Sequence, residues 1–350
     1  MTVSGCVLDV VNCGPQHANH GILVAGNTGI EDITILGTTV YHRGGGSAAS
    51  HGIRCETYGG GATLTGLRIQ GNRVSPPPGE AVSANRGAIG IYLVNGVAAR
   101  LERNSVTGML SGIFVGSGDR NRVTDNDCST NMNFGIHVTG FARSFLIESN
   151  TCNHNGGPDS PNYWGRGIEL SAAAGPNAVS DHTIRFNTCR FNYNYGGPLD
   201  NGTEGVGIGL DDGVVRCAVY RNHVANNEGN GIQLFGGGAP GSIPDTGGHT
   251  IAGNLLDSNC TYSVLDRRSG GTAPSRFQAH IQIAYIYGTR TLITNNIFAG
   301  PTRGGVYLDS TSSNVVVVNN VCWGTPYPAS ATGLGHGQGT AAGLPVAGVL

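Results

Sequence analysis

His137, Glu169, Asp211 and Asp212 carry side chains able to exchange protons, and the first three hold fixed places in a recurring motif, Gly-apolar-x-apolar. His137 is the x of Gly135-Ile136-His137-Val138, Glu169 the x of Gly167-Ile168-Glu169-Leu170, and Asp211 follows Gly207-Ile208-Gly209-Leu210. Alternate residues of a strand face opposite ways, so the aliphatic residues turn to one side and the polar ones to the other. Two carboxylates on one face can work as acid and base about a water molecule, or as acid and nucleophile, and a nearby histidine can tune the proton. If the motif copies stack as rungs about 4.8 Å apart, with alternate residues about 6.6 Å apart, the Cα atoms of Glu169 and Asp211 lie about 8 Å apart. That spacing suits an inverting pair, and side-chain rotamers can shorten it to the retaining distance. Crowding of Glu169, Asp211 and Asp212 should raise one pKa and supply a protonated acid.

The elements that must hold these residues are visible in the repeat. Ten copies begin at Gly21, Gly52, Gly90, Gly112, Gly135, Gly167, Gly207, Gly231, His280 and Gly305. Where no insertion intervenes, as from Ile91 to Ile113 to Ile136, the interval is about 22–23 residues, one coil of a solenoid. A second apolar pair follows in most coils, then Asn-x-apolar, led by Asn72, Asn104, Asn126, Asn150, Asn187, Asn222, Asn254, Asn296 and Asn320. These asparagines are expected to stack at one corner, taking up the left-handed backbone and bonding to the coils on either side. Three short strands per coil predict an all-β fold: a right-handed single-stranded parallel β-helix of about ten coils over residues 1–322, with long loops on one face. Residues 323–350, rich in Gly, Ala and Pro, read as a C-terminal tail or loose cap.

Composition agrees. There are 59 glycines in 350 residues and only 12% charged residues, which suits short strands and tight turns. A net charge of -2 gives no electrostatic case for nucleic acid or an anionic membrane, and no apolar run is long enough to span a bilayer. Met1-Thr2-Val3 and Cys6-Val7-Leu8 align with the second and third strands of a coil, so an N-terminal cap is expected to be missing or supplied by another chain, as in a homo-oligomer. Of the nine cysteines, Cys128, Cys152 and Cys189 share the inward position of successive third strands and read as small buried hydrophobes; Cys6 and Cys13 are the one pair near enough to suggest a bridge. The absence of lysine removes Schiff-base chemistry and a lysine base.

Read down the stack, the outward x positions are Leu23, Arg54, Tyr92, Phe114, His137, Glu169, Gly209, Gln233, Gln282 and Tyr307. His137, Glu169 and Asp211 should therefore emerge side by side into open solvent. Insertions over 153–166, 190–206, 236–248 and 257–279 should wall in that patch, carrying Tyr163, Trp164, Arg166, Tyr193, Tyr195, Asp200 and Glu204. Arg166, Trp164, Tyr163, Glu204, Gln233, Gln282, Tyr307, Arg54 and Tyr92 are the expected substrate-binding set, able to stack on sugar rings and bond hydroxyls or carboxylates. No resident metal is expected.

With its Gly-apolar-x-apolar and Asn-x-apolar repeats, the chain resembles the pectate-lyase-like superfamily of β-helix proteins over roughly residues 1–322. That fold carries lyases, hydrolases, epimerases and non-catalytic adhesins alike. The acid on one coil and the Asp211-Asp212 pair on the next also resemble the polygalacturonase type of glycoside hydrolase. Here the first acid stands in Gly-Ile-Glu-Leu rather than Asn-Thr-Asp, and Asn230-Gly231 stands where that family has His-Gly. The resemblance implies a polysaccharide-cleaving glycoside hydrolase, extracellular or periplasmic, with Asp211 or Asp212 as acid, Glu169 as base and His137 tuning them. The alternatives are a uronate-polysaccharide lyase or C5-epimerase, with Arg166, Tyr163 or His137 near the abstracted proton and Ca²⁺ as a cofactor in the lyase case, and a non-catalytic glycan-binding scaffold.

Overall fold

In the computed structural model, the described residues are 1–10, 19–43, 50–58, 61–80, 88–156, 165–172, 179–193, 205–237, 245–260, 279–300, 305–309 and 311–323. They form a parallel β-helix with three walls. The first wall stacks ten strands in chain order: His20–Gly26, His51–Thr57, Ile89–Val97, Ser111–Asp119, Phe134–Arg143, Arg166–Ser171, Ile208–Asp211, Ile232–Phe235, Ile281–Ala284 and Val306–Leu308. The second wall stacks eleven, from Thr2–Ser4 to Val315–Val318. The third wall consists of two runs, Val7–Val10 to Ser105–Val106 and Thr188–Arg190 to Val321–Trp323, joined by single bridges through Asp127 and Thr151. Met1–Leu8 thus enters on the second and third walls, as its alignment predicts, and among the described residues the last strand is Val321–Trp323. Among the described residues no helix is long and apolar enough to cross a membrane.

The core consists of like residues stacked on like. Ile53, Ile91, Ile113, Ile136, Ile168, Ile208, Ile232 and Ile281 form one fully buried column, and Ile35, Ile69, Leu101, Val123, Ile147, Ile184, Val219, Ile251 and Ile293 another. The third wall contributes Val40, Val74, Val106, Cys128, Cys152, Cys189, Val224, Leu256 and Phe298. Each buried aliphatic side chain contributes about 1.5–3 kcal/mol, so the columns fix the register of everything on the outer faces. These three cysteines of the third wall are free thiols that burial raises above their ordinary pKa where a shift is resolved, at Cys128 and Cys152. Cys6 is also a free thiol, which does not fit the suspected bridge, and Cys13 lies outside the described residues.

The glycine that opens each motif answers to this packing. A Cβ on Gly21, Gly52, Gly90 or Gly207 would come within 2.0–2.5 Å of the inward valine of its own coil's third strand, Val40, Val74, Val106 or Val224. The nine asparagines do stack: each amide from Asn72 to Asn296 donates to the next asparagine's Oδ1 at 2.9–3.0 Å. The left-handed backbone, however, belongs to the residue before each of them, Gly71, Arg103, Asp125, Ser149, Phe186, Arg221, Gly253, Asn295 and Asn319. The turn is made there, so the asparagine keeps an ordinary backbone and its side chain serves the ladder. A second ladder stacks at another corner, Asn131 donating its backbone N to Asn155 Oδ1 and the amides of Asn155, Asn192 and Asn227 each donating to the next Oδ1 as far as Asn259, each asparagine again preceded by a left-handed residue. At the remaining corner, Asn121 Oδ1 accepts from Ala99 N at 2.9 Å, and His182 and His249 replace it on later coils, their Nδ1 accepting from Phe145 N and Cys217 N.

Candidate functional site

Register on the first wall pairs Arg54 with Tyr92, Tyr92 with Phe114, Phe114 with His137, His137 with Glu169, Glu169 with Gly209, Gly209 with Gln233, Gln233 with Gln282 and Gln282 with Tyr307. All face away from the core, because Ile168 and Leu170, on either side of Glu169, are fully buried among the aliphatic columns. Asp211 pairs with Ser171, one step along the strand, so Glu169 and Asp211 are diagonal neighbours on successive coils.

Their carboxylates meet through one cation. Arg166 Nη1 donates to Glu169 Oε2 and to Asp211 Oδ2, each at 2.5 Å, which puts the two oxygens no farther apart than twice that distance. Gly209 makes the arrangement possible. It leaves a gap between Glu169 and Gln233, and a Cβ there would lie 2.1 Å from Glu169 Oε2 and 2.9 Å from Arg166 Nη1. The open-solvent expectation does not hold: Arg166, Glu169 and Asp211 are 5%, 4% and 7% exposed, because both carboxylates turn onto the guanidinium instead of standing out from the wall. Nor do the two shared oxygens stand apart as the two flanks of a water, the separation of about 6.5–9.5 Å that an inverting pair needs.

The electrostatics follow from this enclosure. Burial pushes the Glu169 carboxyl well above the usual range, with Asp211 adding to the rise and Arg166 opposing it. Burial raises Asp211 too, again against Arg166. For Arg166 burial acts to release the proton, but the two carboxylates outweigh it and hold the guanidinium charged. Two acids, one cation and low exposure favour one shared proton on the acid pair. Asp212 sits just beyond, in a left-handed turn, its Oδ2 accepting from Ser171 Oγ at 3.0 Å.

One coil earlier, His137 lies against Phe134, ring centroids 4.4 Å apart, with the edge of Phe114 at 5.2 Å. Burial, and then the Arg166 charge, lower its pKa to about 4, so the imidazole is neutral near pH 7. On the other side of the Gly209 gap, Gln233 Nε2 reaches Asp211 Oδ1 at 3.4 Å, and Asn230 Nδ2 donates to Gln282 Oε1. The structure thus gathers His137, Arg166, Glu169, Asp211, Gln233 and Gln282, with Asp212 at the rim.

Arg54, Tyr92 and Tyr307 share the face but not the cluster. Arg54 is four coils from Glu169, roughly 19 Å by strand spacing, with its Nε 2.6 Å from Glu56 Oε1. Tyr92 is held between His51, centroids 4.5 Å apart, and Phe114 at 5.0 Å, both nearly parallel to it, so its two faces are occupied and only its edge remains for a ligand. Tyr163, Trp164, Tyr195, Asp200 and Glu204 lie outside the described residues, and Tyr193 bonds His154 on another corner. Among the described residues no group of His, Cys, Asp and Glu is disposed to hold a metal ion. Sequence reasoning named Asn230 and Gly209 but gave neither a role; the signal of Asn230 is its place just before a motif glycine, equivalent to Arg166, and that of Gly209 is the lack of a side chain in an otherwise filled row.

A family model described as right handed beta helix region matches residues 51–254, more than half of the chain. The chain belongs to the right-handed beta-helix family. No curated protein sequence matches it. Among solved structures, it is similar to the A-module of a mannuronan C-5 epimerase from Azotobacter vinelandii (TM-score 0.55, 12% identity, covering 95% of this chain and 87% of that one). It is also similar to a periplasmic alginate epimerase (TM-score 0.54, 12% identity, 93% and 67% covered) and to the DFA-IIIase of Arthrobacter chlorophenolicus A6 (TM-score 0.48, 13% identity, 91% and 83% covered). At these identities the likeness is one of fold.

Proposed function

We propose that this β-helix modifies a uronate polysaccharide outside the cytoplasm, by C5-epimerisation or β-elimination, at the face built from His137, Arg166, Glu169 and Asp211. The observation that carries the reading is the shared guanidinium: Glu169 and Asp211 bind one nitrogen of Arg166 at 2.5 Å each. Such a pair acts as one proton-bearing unit. Removing the proton from C5 of a uronate requires the adjacent carboxylate to be neutralised as negative charge develops on it. A protonated Glu169 can donate to that carboxylate, and Arg166 supplies the positive field without proton bookkeeping. His137, neutral and one coil away, is the base of this scheme; a bound uronate nearby raises its pKa toward the range where it holds the abstracted proton. Return of a solvent-derived proton to the opposite face of C5 gives the epimer; departure of the O4 substituent as a hydroxyl, taking a proton from His137 or solvent as the C4–O4 bond breaks, gives the unsaturated end. Two fold relatives with TM-scores above 0.5 are described as epimerases of alginate or mannuronan, which supports the substrate class.

Glycoside hydrolysis, with Glu169 as acid and Asp211 as partner, is the second reading. It is favoured by the raised Glu169 pKa beside a second carboxyl at close range. Incubation with mannuronan and with polygalacturonate in D₂O separates the readings. The first expects deuterium at C5 or ultraviolet absorbance from unsaturated ends; new reducing ends with neither signal would replace it by the hydrolase.

A further inference from the structure

Beyond the Gly209 gap the outer face changes character, from charged residues to amides. Asn230, Gln233 and Gln282 are 0%, 1% and 3% exposed. Asn230 and Gln282 satisfy each other, Nδ2 to Oε1, and Asn230 Oδ1 accepts from Ala279 N at 3.0 Å. Gln233 differs. Its Nε2 makes one long contact to Asp211 Oδ1 at 3.4 Å, and its buried Oε1 has no partner. The amide orientation is set by that neighbour, since turning it over would place Oε1 against a carboxylate oxygen. Buried carbonyl oxygens are paired in folded proteins because burial otherwise leaves their desolvation uncompensated. An unpaired one beside the acid pair is an acceptor awaiting a donor.

We propose that Gln233 is a substrate-positioning residue that accepts a hydrogen bond from a sugar hydroxyl, so that the sugar unit next to the acid pair is read through its hydroxyl groups and not through its carboxylate. The chemistry disfavours the converse. An ionised carboxylate in that place would meet Gln233 Oε1 and the Asp211 carboxylate, both acceptors, whereas a hydroxyl donates to one and accepts from Nε2. The substrate is thereby oriented, with the carboxylate of the reacting unit toward Arg166 and the hydroxyls of its neighbour toward the amides. This inference rests on the uronate reading of the acid pair for the nature of the polymer, but not for the role of the amide.

The test compares Gln233→Met, which keeps the side-chain length and removes the Oε1 acceptor together with the long contact of Nε2 to Asp211 Oδ1, with its parent. Calorimetric titration uses mannuronan oligomers and the same oligomers with carboxyls reduced to hydroxymethyl groups, both against Glu169→Gln protein with and without Gln233→Met. The expected result is a loss of affinity of about tenfold for each oligomer that binds, the scale of one hydrogen bond to a buried group. It is accompanied by a melting temperature equal to or above that of the parent, since an unpaired buried oxygen has been removed. Unchanged affinity overturns the proposal, and so does a fall in melting temperature or failure to fold, which makes Gln233 a structural amide. If only the reduced oligomers bind, the uronate reading fails while the tenfold loss still supports Gln233. If neither binds, the uronate reading and the Gln233 proposal both fail.

Discussion

Replacing Arg166 by leucine isolates the electrostatic core of the site. The substitution leaves Glu169 and Asp211, 4% and 7% exposed, without the guanidinium that each now touches at 2.5 Å. Breaking a buried ion pair by removing one partner costs about 3–5 kcal/mol, equivalent to a fall of roughly 4–7 °C in melting temperature for a chain of this size. The pH dependence is the sharper test. Both carboxyls already have folded-state pKa values above their ordinary 4.5 and 3.8, so the folded state holds protons that the unfolded state has lost. Stability from these groups is therefore fully present below pH 3.8 and is lost as pH rises through the folded values. Without Arg166, the influence that lowers both values is gone. They climb, and the deficit of the variant widens with pH by as much as about 1.4 kcal/mol per unit per group. Urea unfolding followed by circular dichroism at pH 4 and pH 8 should show a small deficit at the lower pH and about 3–5 kcal/mol at the higher. A deficit below about 1 kcal/mol at pH 8, or one equal at both, would refute the buried ion-pair account.

Gly209→Ala places a methyl group 2.1 Å from Glu169 Oε2, which must move; turnover is expected to fall about 10–100-fold with modest loss of stability, read from kcat beside a urea melt. Asn187→Leu removes an amide that donates to Asn222 Oδ1 and Ile147 O and accepts from Asn150 N and Nδ2; unfolding free energy should drop by about 3–5 kcal/mol at unit cost of about 1–3 per stranded group. His182 is fully enclosed and held neutral by burial, its pKa lowered to about 4, so it costs stability as pH falls from 6.5 toward 4. Because Asn121 performs the same capping task at that corner, His182→Asn should fold normally and show a shallower acid loss over this window in thermal melts at stepped pH.

Much of the fold was legible because the solenoid repeats its reasons. The isoleucine column, the motif glycines and the first asparagine ladder all recur at fixed offsets, and one coil explains the next. The second ladder carried an equally regular signal, since Asn131, Asn155, Asn192, Asn227 and Asn259 each follow a first-ladder asparagine by the same interval, as Asn131 follows Asn126. Its regularity was masked by the variety of residues between them. The left-handed residues were assigned one place late because propensity favours Asn there, while the ladder's hydrogen bonds require an ordinary backbone at the Asn and leave the turn to residues as unlike as Phe186 and Gly253. At the candidate site, alternation was enough to set His137, Glu169 and Asp211 on one outer face. It could not show that Arg166 binds both acids, because that depends on the empty place at Gly209 two coils of side chains must share. Nor could it show that Tyr92 spends both ring faces on His51 and Phe114.

The most direct measurement is polymer modification by Glu169→Gln and Asp211→Asn beside two variants on other walls, Arg185→Ala and His223→Ala, all followed by C5 deuterium, unsaturated ends and reducing ends on mannuronan. The account predicts that both acid variants lose turnover by at least about a hundredfold while Arg185→Ala and His223→Ala keep it. Full activity in Glu169→Gln and Asp211→Asn would contradict it.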